Sequence, residues 1–187
     1  MPNIQDAKIL IVATNGFEQS ELMKPREQLK SKGATVHVAS PKGGTIKGWD
    51  EDDWGESVES DLKVADVNRD DYDALVLPGG QINPDLLRVE KDVIALIQAF
   101  VKDGKTVAAI CHAPWLLIEA GVTEGREMTS YESIRTDLKN SGANVVDKEV
   151  SVSNGIVTSR KPGDIDAFVA KIVEEIEEGR HERPAAA

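Results

Sequence analysis

Short apolar runs alternate with longer amphipathic stretches along most of this chain. Ala7 to Ala13 is a nearly continuous apolar run, and the next stretch, Glu18 to Lys32, places Leu22 and Leu29 on one helical face. Continuous apolar runs are typical of parallel strands covered on both faces, whereas a spacing of about 3.6 residues is typical of helices. A second strand follows over residues 34–39, and this order of strand, helix and strand predicts a βαβ unit.

The same patterns continue almost to the end of the chain. Further strands are predicted over residues 45–48, 57–61, 74–77, 105–110, 126–129, 145–152 and 156–159. Further helices are predicted over residues 92–102, 113–120, 133–140 and 164–178. Strands that alternate with helices predict an α/β fold, here a three-layer sandwich with a mostly parallel central sheet. Because no repeat or break in composition divides the chain, we expect one domain over residues 1–187, with a core at about 7–178 and a flexible tail at 179–187.

The segment from Trp49 to Glu56 departs from these patterns, because it combines two tryptophans with a run of acidic residues. An acidic, aromatic loop can serve as a lid over a site or as a surface for a partner. Charge runs more often form solvated loops, here with tryptophans that pack locally, and we favour this interpretation.

The charge balance narrows the possible partners. With 33 acidic and 22 basic residues the net charge is −11, which disfavours nucleic acid and anionic membranes because both require a basic surface. A single cysteine forms no internal disulfide, and no group of Cys and His residues has zinc-site spacing, so we expect no metal. We find no signal-peptide pattern and no apolar stretch long enough to span a bilayer, and we expect a cytoplasmic protein.

The only cysteine, Cys111, lies where a predicted strand meets a predicted helix. Pro114 fits the first turn of that helix, and Gly121 fits its C-terminal stop. This position directs a side chain out of the carboxyl edge of the sheet and near the positive end of a helix dipole, where a thiol ionises more readily. A lone cysteine is commonly a buried core residue, but the bend and the adjacent His112 favour a reactive thiol.

A loop at residues 15–21 is expected beside Cys111, because ligands bind at the carboxyl ends of strands in an open α/β sheet. It carries Glu18 and Glu21, which are close enough along a helix start to face one side. Their role is either to complement the helix dipole or to assist the thiol. A carboxyl beside a thiolate tends to keep its proton, and such a group can act as a general acid or base.

A third loop, at residues 77–81, contains Gly79 and Gly80, so its backbone can approach a ligand closely. No dinucleotide-binding or phosphate-binding glycine motif is present, and the three loops together indicate nucleophilic catalysis rather than a redox cofactor.

The three histidines differ in their surroundings. His112 follows the cysteine directly and is either a catalytic base or a residue that only lines the site. We expect His37 to be packed within a strand and His181 to be solvated in the tail.

Six stretches of the chain form a combination that is specific to one family. They are Gly16-Phe17-Glu18-Gln19-Ser20-Glu21-Leu22, Leu75-Val76-Leu77-Pro78-Gly79-Gly80, Ala109-Ile110-Cys111-His112-Ala113-Pro114, Ala120-Gly121-Val122, Gly125-Arg126 and Val157-Thr158-Ser159-Arg160. With them the chain resembles the PfpI/ThiJ superfamily, which includes intracellular protease I, bacterial stress proteins and the Parkinsonism-associated deglycase. Ala113 departs from the family pattern, where glycine is more common, and adds one methyl group beside the site.

The resemblance implies a flavodoxin-like sandwich of the class I glutamine amidotransferase type, with Cys111 as the nucleophile. It places Glu21 against the sulfur and Glu18 nearby, and it implies neither a metal nor an organic cofactor. The amides expected to form an oxyanion pocket are those around Gly79, Gly80 and His112.

In protease-like members of this superfamily an acidic residue of a neighbouring subunit orients the histidine, and the matching position here is Asp85. The site would then be complete only in a homo-oligomer, a dimer or a hexamer. Asp85 equally fits the first turn of a helix beside Pro84, so both interpretations stay open.

Three functions fit these residues. A stress-protective deglycase or glyoxalase III-like enzyme would act on methylglyoxal, glyoxal or their early adducts, that is, on a small aldehyde or a glycated substrate. An oligomeric intracellular cysteine peptidase would use the same nucleophile. A non-enzymatic, redox-sensing chaperone would instead use oxidation of Cys111. We favour the first function, because a deep site walled by glycines suits small groups better than a polypeptide.

Overall fold

The computed structural model describes residues 2–182, and its elements alternate as predicted. The strands are β1 (Lys8–Val12), β2 (Phe17–Glu18), β3 (Thr35–Ser40), β4 (Thr45–Asp50), β5 (Asp53–Glu59), β6 (Leu62–Lys63), β7 (Ala74–Leu77), β8 (Thr106–Ile110), β9 (Glu127–Met128), β10 (Asn144–Val145), β11 (Val150–Ser153) and β12 (Ile156–Ser159). The helices are α1 (Gln19–Ser31), α2 (Ile82–Leu87), α3 (Lys91–Lys102), α4 (Pro114–Glu119), α5 (Arg135–Asn140) and α6 (Ile165–Glu178).

Within residues 2–182 a seven-stranded sheet has the order β11-β12-β8-β7-β1-β3-β6, and its neighbours pair in parallel except β11 with β12. Ile9 and Ile11 of β1 belong to the apolar layer shared with α1 and α6, whereas Leu10 and Val12 belong to the layer shared with α3 and α4. Both faces of the sheet are covered, which explains the continuous apolar runs. The predicted three-layer α/β sandwich is confirmed. None of the described helices is both long enough and apolar enough to cross a membrane.

The acidic segment at residues 49–56 is mostly exposed, as predicted, but it forms a β-hairpin, so the prediction of a loop is wrong. β4 and β5 pair antiparallel around a turn at Glu51 and Asp52. Trp49 and Trp54 face each other across the hairpin with ring centroids 5.4 Å apart, edge to face, and they pack locally as expected. Such cross-strand aromatic pairs stabilise strands despite the acidic composition. β2 pairs with β4, so the hairpin also supports the loop that carries the candidate glutamates.

The strand predicted over residues 145–152 is in fact two short strands. β10 pairs with β9 in a separate two-stranded sheet, whereas β11 forms the antiparallel edge of the main sheet. Between them, Asp147 forms ion pairs with Arg135 and Arg160. The charged side chain interrupts the apolar alternation at this point, and the strand pairing ends there.

Residues 179–182 are anchored, in contrast to the frayed tail predicted from the sequence. The N–H of His181 donates to the carbonyl of Gly104 at 2.8 Å. Its side chain is 15% exposed and lies 3.0 Å from Glu175, so the prediction of a solvated histidine is wrong. The rest of the predicted tail, residues 183–187, lies outside the described residues.

Candidate active site

Cys111 follows β8 directly and has a backbone conformation that residues other than glycine rarely adopt. Its φ is +65°, and a left-handed conformation costs about 1–3 kcal/mol at a residue with a side chain, so its surroundings must hold it. The N–H of Cys111 donates to the carbonyl of Ser159 at 3.0 Å, and its carbonyl accepts the N–H of Tyr131 at 2.8 Å. Helix α4 then begins at Pro114, one residue after the predicted start, and Pro114 lies in its first turn as the sequence predicted.

Glu21 is a fully buried acid that interacts with the thiol of Cys111. Its Oε2 accepts the N–H of Gly79 at 2.8 Å, and its Oε1 is buried without a hydrogen bond from any residue between 2 and 182. Burial, and then the negative charge of Glu18, raises the pKa of Glu21 to about 8. The carboxyl therefore keeps its proton at neutral pH, as the sequence analysis expected of an acid in this position.

The thiol of Cys111 is harder to ionise than a free thiol, contrary to the expectation from the sequence. The residue is 5% exposed, and burial, together with the negative charge that Glu21 can carry, raises the pKa of the thiol. The N–H groups of Gly80 and His112 bond to the sulfur and act in the opposite direction. Helix α4 is only six residues long, so its dipole does not outweigh burial. At neutral pH the site thus holds a thiol beside a carboxylic acid, and ionisation of the thiol requires a base.

His112 is in position to be that base. Its Nδ1 lies 3.1 Å from the Sγ of Cys111, and its Nε2 lies 3.1 Å from the Oγ of Ser133. Burial lowers the pKa of His112, so the ring is neutral at pH 7 and can accept a proton. Tyr131 stacks on the ring at 4.7 Å between centroids and Trp115 meets it at 5.4 Å, so aromatic packing fixes its orientation.

Gly79 and Gly80 leave no room for side chains between the loops of the site. A Cβ atom at Gly79 would lie 2.5 Å from the Oε2 of Glu21 and 2.7 Å from the Cβ of Cys111. Gly80 has a φ of +84°, and a Cβ there would meet backbone atoms of residues 16–18. Because the N–H of Gly79 already donates to Glu21, it does not fit the predicted role of binding an oxyanion in this structure. The N–H groups of Gly80 and His112 remain candidates for that role.

Glu18 supports the start of α1 and acts on the thiol only through Glu21. Its carboxylate caps the helix by accepting the N–H of Glu21 at 2.9 Å, and it also accepts the hydroxyl of Ser20. Glu18 thus has a structural role at the helix start, the kind of role considered from the sequence. Its negative charge also raises the pKa of Glu21.

Asp85 is exposed and lies in the first turn of α2, the helical position that the sequence also allowed. Within residues 2–182 the side chain that bonds to Nε2 of His112 is that of Ser133, not that of Asp85. Contact with the histidine of a neighbouring subunit stays a prediction.

Asn83 is a residue of the site that the sequence analysis missed. It is fully buried, and its Oδ1 accepts the N–H of Thr14 at 2.8 Å while its Nδ2 donates to the carbonyl of Pro78 at 2.9 Å. The loop after β1 is thereby tied to the loop after β7, which holds Gly79 against the acid.

A model of the DJ-1/PfpI family matches residues 7–175. The chain belongs to the DJ-1/PfpI family. It is 43% identical to Deglycase PfpI of Pyrococcus furiosus over 166 residues, which cover 89% of this chain and 97% of that protein. It is 45% identical to General stress protein 18 of Bacillus subtilis over 163 residues, 86% of this chain and 92% of the relative.

A solved structure also matches most of this chain. The crystal structure of Drosophila melanogaster DJ-1beta matches with a TM-score of 0.83 and 30% identity, covering 92% of this chain and 95% of that one. The resemblance found in the sequence is confirmed, and so is the flavodoxin-like fold of the class I glutamine amidotransferase type.

Proposed function

We propose that this DJ-1/PfpI protein is a cofactor-independent, cysteine-dependent hydrolase that converts 2-oxoaldehydes, free or as early adducts on amines, into hydroxy acids. Methylglyoxal and glyoxal are the substrates that fit best. The observation that carries the proposal is the group of Cys111, His112 and Glu21, in which a buried thiol meets a neutral imidazole at 3.1 Å and a protonated acid. The names of two relatives, a deglycase and a general stress protein, support the same function.

The first step is addition of the thiol to the aldehyde. The Sγ of Cys111 attacks the aldehyde carbon while the thiol proton passes to Nδ1 of His112. The electron pair of the C=O bond moves to oxygen, which takes the proton of Glu21, so the product is a hemithioacetal. The N–H group of Gly80 bonds to the sulfur, and from that position it would stabilise the charge that develops on this oxygen.

The second step is an internal redox exchange that requires no external oxidant. Glu21, now a carboxylate, removes the proton from the former aldehyde carbon to give an enediolate, whose negative charge lies on the oxygen of the neighbouring carbon. The imidazolium of His112 delivers a proton to the neighbouring carbon, and a hydroxyl proton moves between the two oxygens. The first carbon is oxidised as the second is reduced, which leaves a thioester of a 2-hydroxy acid. Water, deprotonated by His112, then hydrolyses the thioester, releases lactate in the case of methylglyoxal and restores the thiol.

The direct test is formation of lactate from methylglyoxal by the purified full chain. We expect Cys111→Ala to abolish lactate formation and His112→Ala to reduce it strongly. His37→Ala is the matched control, because His37 bonds to Tyr72 at 2.9 Å, outside the group of catalytic residues. Turnover retained in folded Cys111→Ala would disprove the proposal. Cleavage of a peptide library without lactate formation would instead favour the peptidase function.

We also infer that the protein acts as a homo-oligomer. Three apolar side chains on and just after α2 are exposed: Ile82 by 36%, Leu86 by 47% and Val89 by 76%. Asp85 lies among them, so a second copy that covers this surface would bring Asp85 close to a neighbouring chain. Leu86→Lys should lower the mass measured by sedimentation, whereas the nearby charge change Glu90→Lys should not.

A further inference from the structure

A second cluster of polar side chains lies at the end of the sheet opposite to Cys111, where β8 begins rather than ends. Glu175 and Glu178 lie one turn apart near the end of α6, and His181 follows the helix. One carboxylate oxygen of each glutamate and one imidazole nitrogen all lie within 4.8 Å of one another. We propose that these three residues bind a divalent transition-metal ion, with zinc as the best match.

The contact between Glu175 and His181 is the observation that points to a ligand. Their Oε2 and Nε2 atoms lie 3.0 Å apart, and the side chain of Glu175 is only 6% exposed. Both atoms are buried, and neither has hydrogen-bonding geometry with any group between residues 2 and 182. The two groups form an ion pair only when His181 is protonated. With a neutral ring they are two buried groups 3.0 Å apart without a hydrogen bond, and a cation bound between them would satisfy both.

The backbone holds His181 in this position. Its N–H donates to the carbonyl of Gly104 at 2.8 Å. Gly104 has a φ of +71°, and a Cβ atom there would lie 2.3 Å from the carbonyl oxygen of His181, so only glycine permits this approach. Two ligands on one helix and a third on an anchored segment make a pre-organised site.

The donor set selects the kind of ion. An imidazole with two carboxylates suits zinc, which binds His nitrogen and Glu oxygen in tetrahedral sites, whereas magnesium and calcium prefer oxygen ligands alone. The side chain of Glu175 is 6% exposed, so its carboxylate is poorly solvated. A bound cation would offset that cost, and it would link residues 179–182 to α6. The site therefore stabilises the fold, independently of the proposed reaction.

The test is calorimetric titration of untagged, full-length protein with zinc chloride in a Cys111→Ser background, which removes the thiol as a competing ligand. Glu178→Gln and His181→Ala each remove one ligand. Glu182→Gln is the matched control, because it makes the same change of charge at an exposed neighbouring position outside the cluster. Thermal unfolding with and without zinc provides a second readout.

We expect the parent and Glu182→Gln to bind one zinc per chain and to gain thermal stability from it. Glu178→Gln and His181→Ala should lose both the saturable binding and the gain. Because the side chain of Glu178 is exposed, a loss of binding in Glu178→Gln would not be due to misfolding. Absence of saturable binding in the parent would overturn the proposal, as would unchanged binding in Glu178→Gln. Equal loss in Glu182→Gln would also overturn it, because the acidic surface in general would then be responsible.

Discussion

The Nε2 atom of His112 lies 3.1 Å from the Oγ of Ser133, while the other ring nitrogen faces the thiol. A serine hydroxyl can accept the Nε2 proton, and this keeps the lone pair of Nδ1 directed at the sulfur. Ser133 is thus in position to orient the histidine within one chain, and the same role for Asp85 of a neighbouring chain stays a prediction.

Replacement of Ser133 by alanine should therefore impair the histidine and not the binding of substrate. We expect a decrease in kcat of about 3–10-fold with little change in KM, because a neutral hydrogen bond contributes about 0.5–1.5 kcal/mol. Ser133→Thr, which keeps the hydroxyl, should restore most of the rate, and Ser57→Ala, at an exposed position on β5, is the control. An unchanged kcat in Ser133→Ala would show that the histidine needs no such partner.

A methyl group at Gly79 should separate the acid from the thiol. Its Cβ would lie 2.5 Å from the Oε2 of Glu21, so we expect Gly79→Ala to lose most of its activity and about 1–3 kcal/mol of stability through overpacking. Gly163→Ala is the matched control, because a Cβ there meets nothing within 4 Å. Steady-state kinetics and urea unfolding measure both effects. Normal activity in Gly79→Ala would contradict the close packing of this loop.

The rate should depend on pH through two groups. Burial lowers the pKa of His112, so the imidazole loses its proton at a pH below its usual 6.5. The value of kcat/KM should rise with pH as that proton is lost and should then reach a plateau. It should fall again near pH 8, where Glu21 ionises and its charge opposes formation of the thiolate. Glu21→Gln should be slower by about 100-fold and should lack the alkaline decrease. An alkaline decrease that persists in Glu21→Gln would assign it to another group.

The free energy of unfolding should also depend on the protonation of Glu21. The folded state keeps the proton of Glu21 up to about pH 8, whereas the unfolded chain releases it near pH 4.5. Since the folded state binds more protons in this interval, the free energy of unfolding should fall as pH rises. His112 has the opposite effect only below its usual pKa of 6.5, so it does not contribute to the slope between pH 6.5 and 8. Urea unfolding of Glu21→Gln should show a shallower decrease there than the parent, and equal slopes would contradict the burial of a protonated acid.

Periodicity alone predicted most of the fold, because parallel strands and amphipathic helices are local patterns. It failed at the hairpin of β4 and β5, where the pairing of Trp49 with Trp54 stabilises strands within an acidic segment. Periodicity also gave no helix for residues 82–87, although the position of Asp85 beside Pro84 allowed one. This short element contains the buried Asn83, which bonds to Thr14, 69 positions away in the sequence. Contacts that are distant along the chain leave no local pattern.

The site was predicted in part. Cys111 and Glu21 follow from the strand ends and the family motifs, and the structure brings them together. Ser133 could not be found in the same way, because it lies 21 positions from His112 and belongs to no motif. The direction of the shift in the pKa of Cys111 was mistaken, because the sequence shows the adjacent helix start but not the extent of burial.

The account depends most on one property, that Glu21 remains protonated at neutral pH beside the thiol. Carbon-13 NMR of protein labelled at glutamate carboxyls measures this directly, with Glu21→Gln to assign the resonance. We predict a titration midpoint at about 8 for Glu21. A midpoint near 4.5, the value of an ordinary glutamate, would contradict the account.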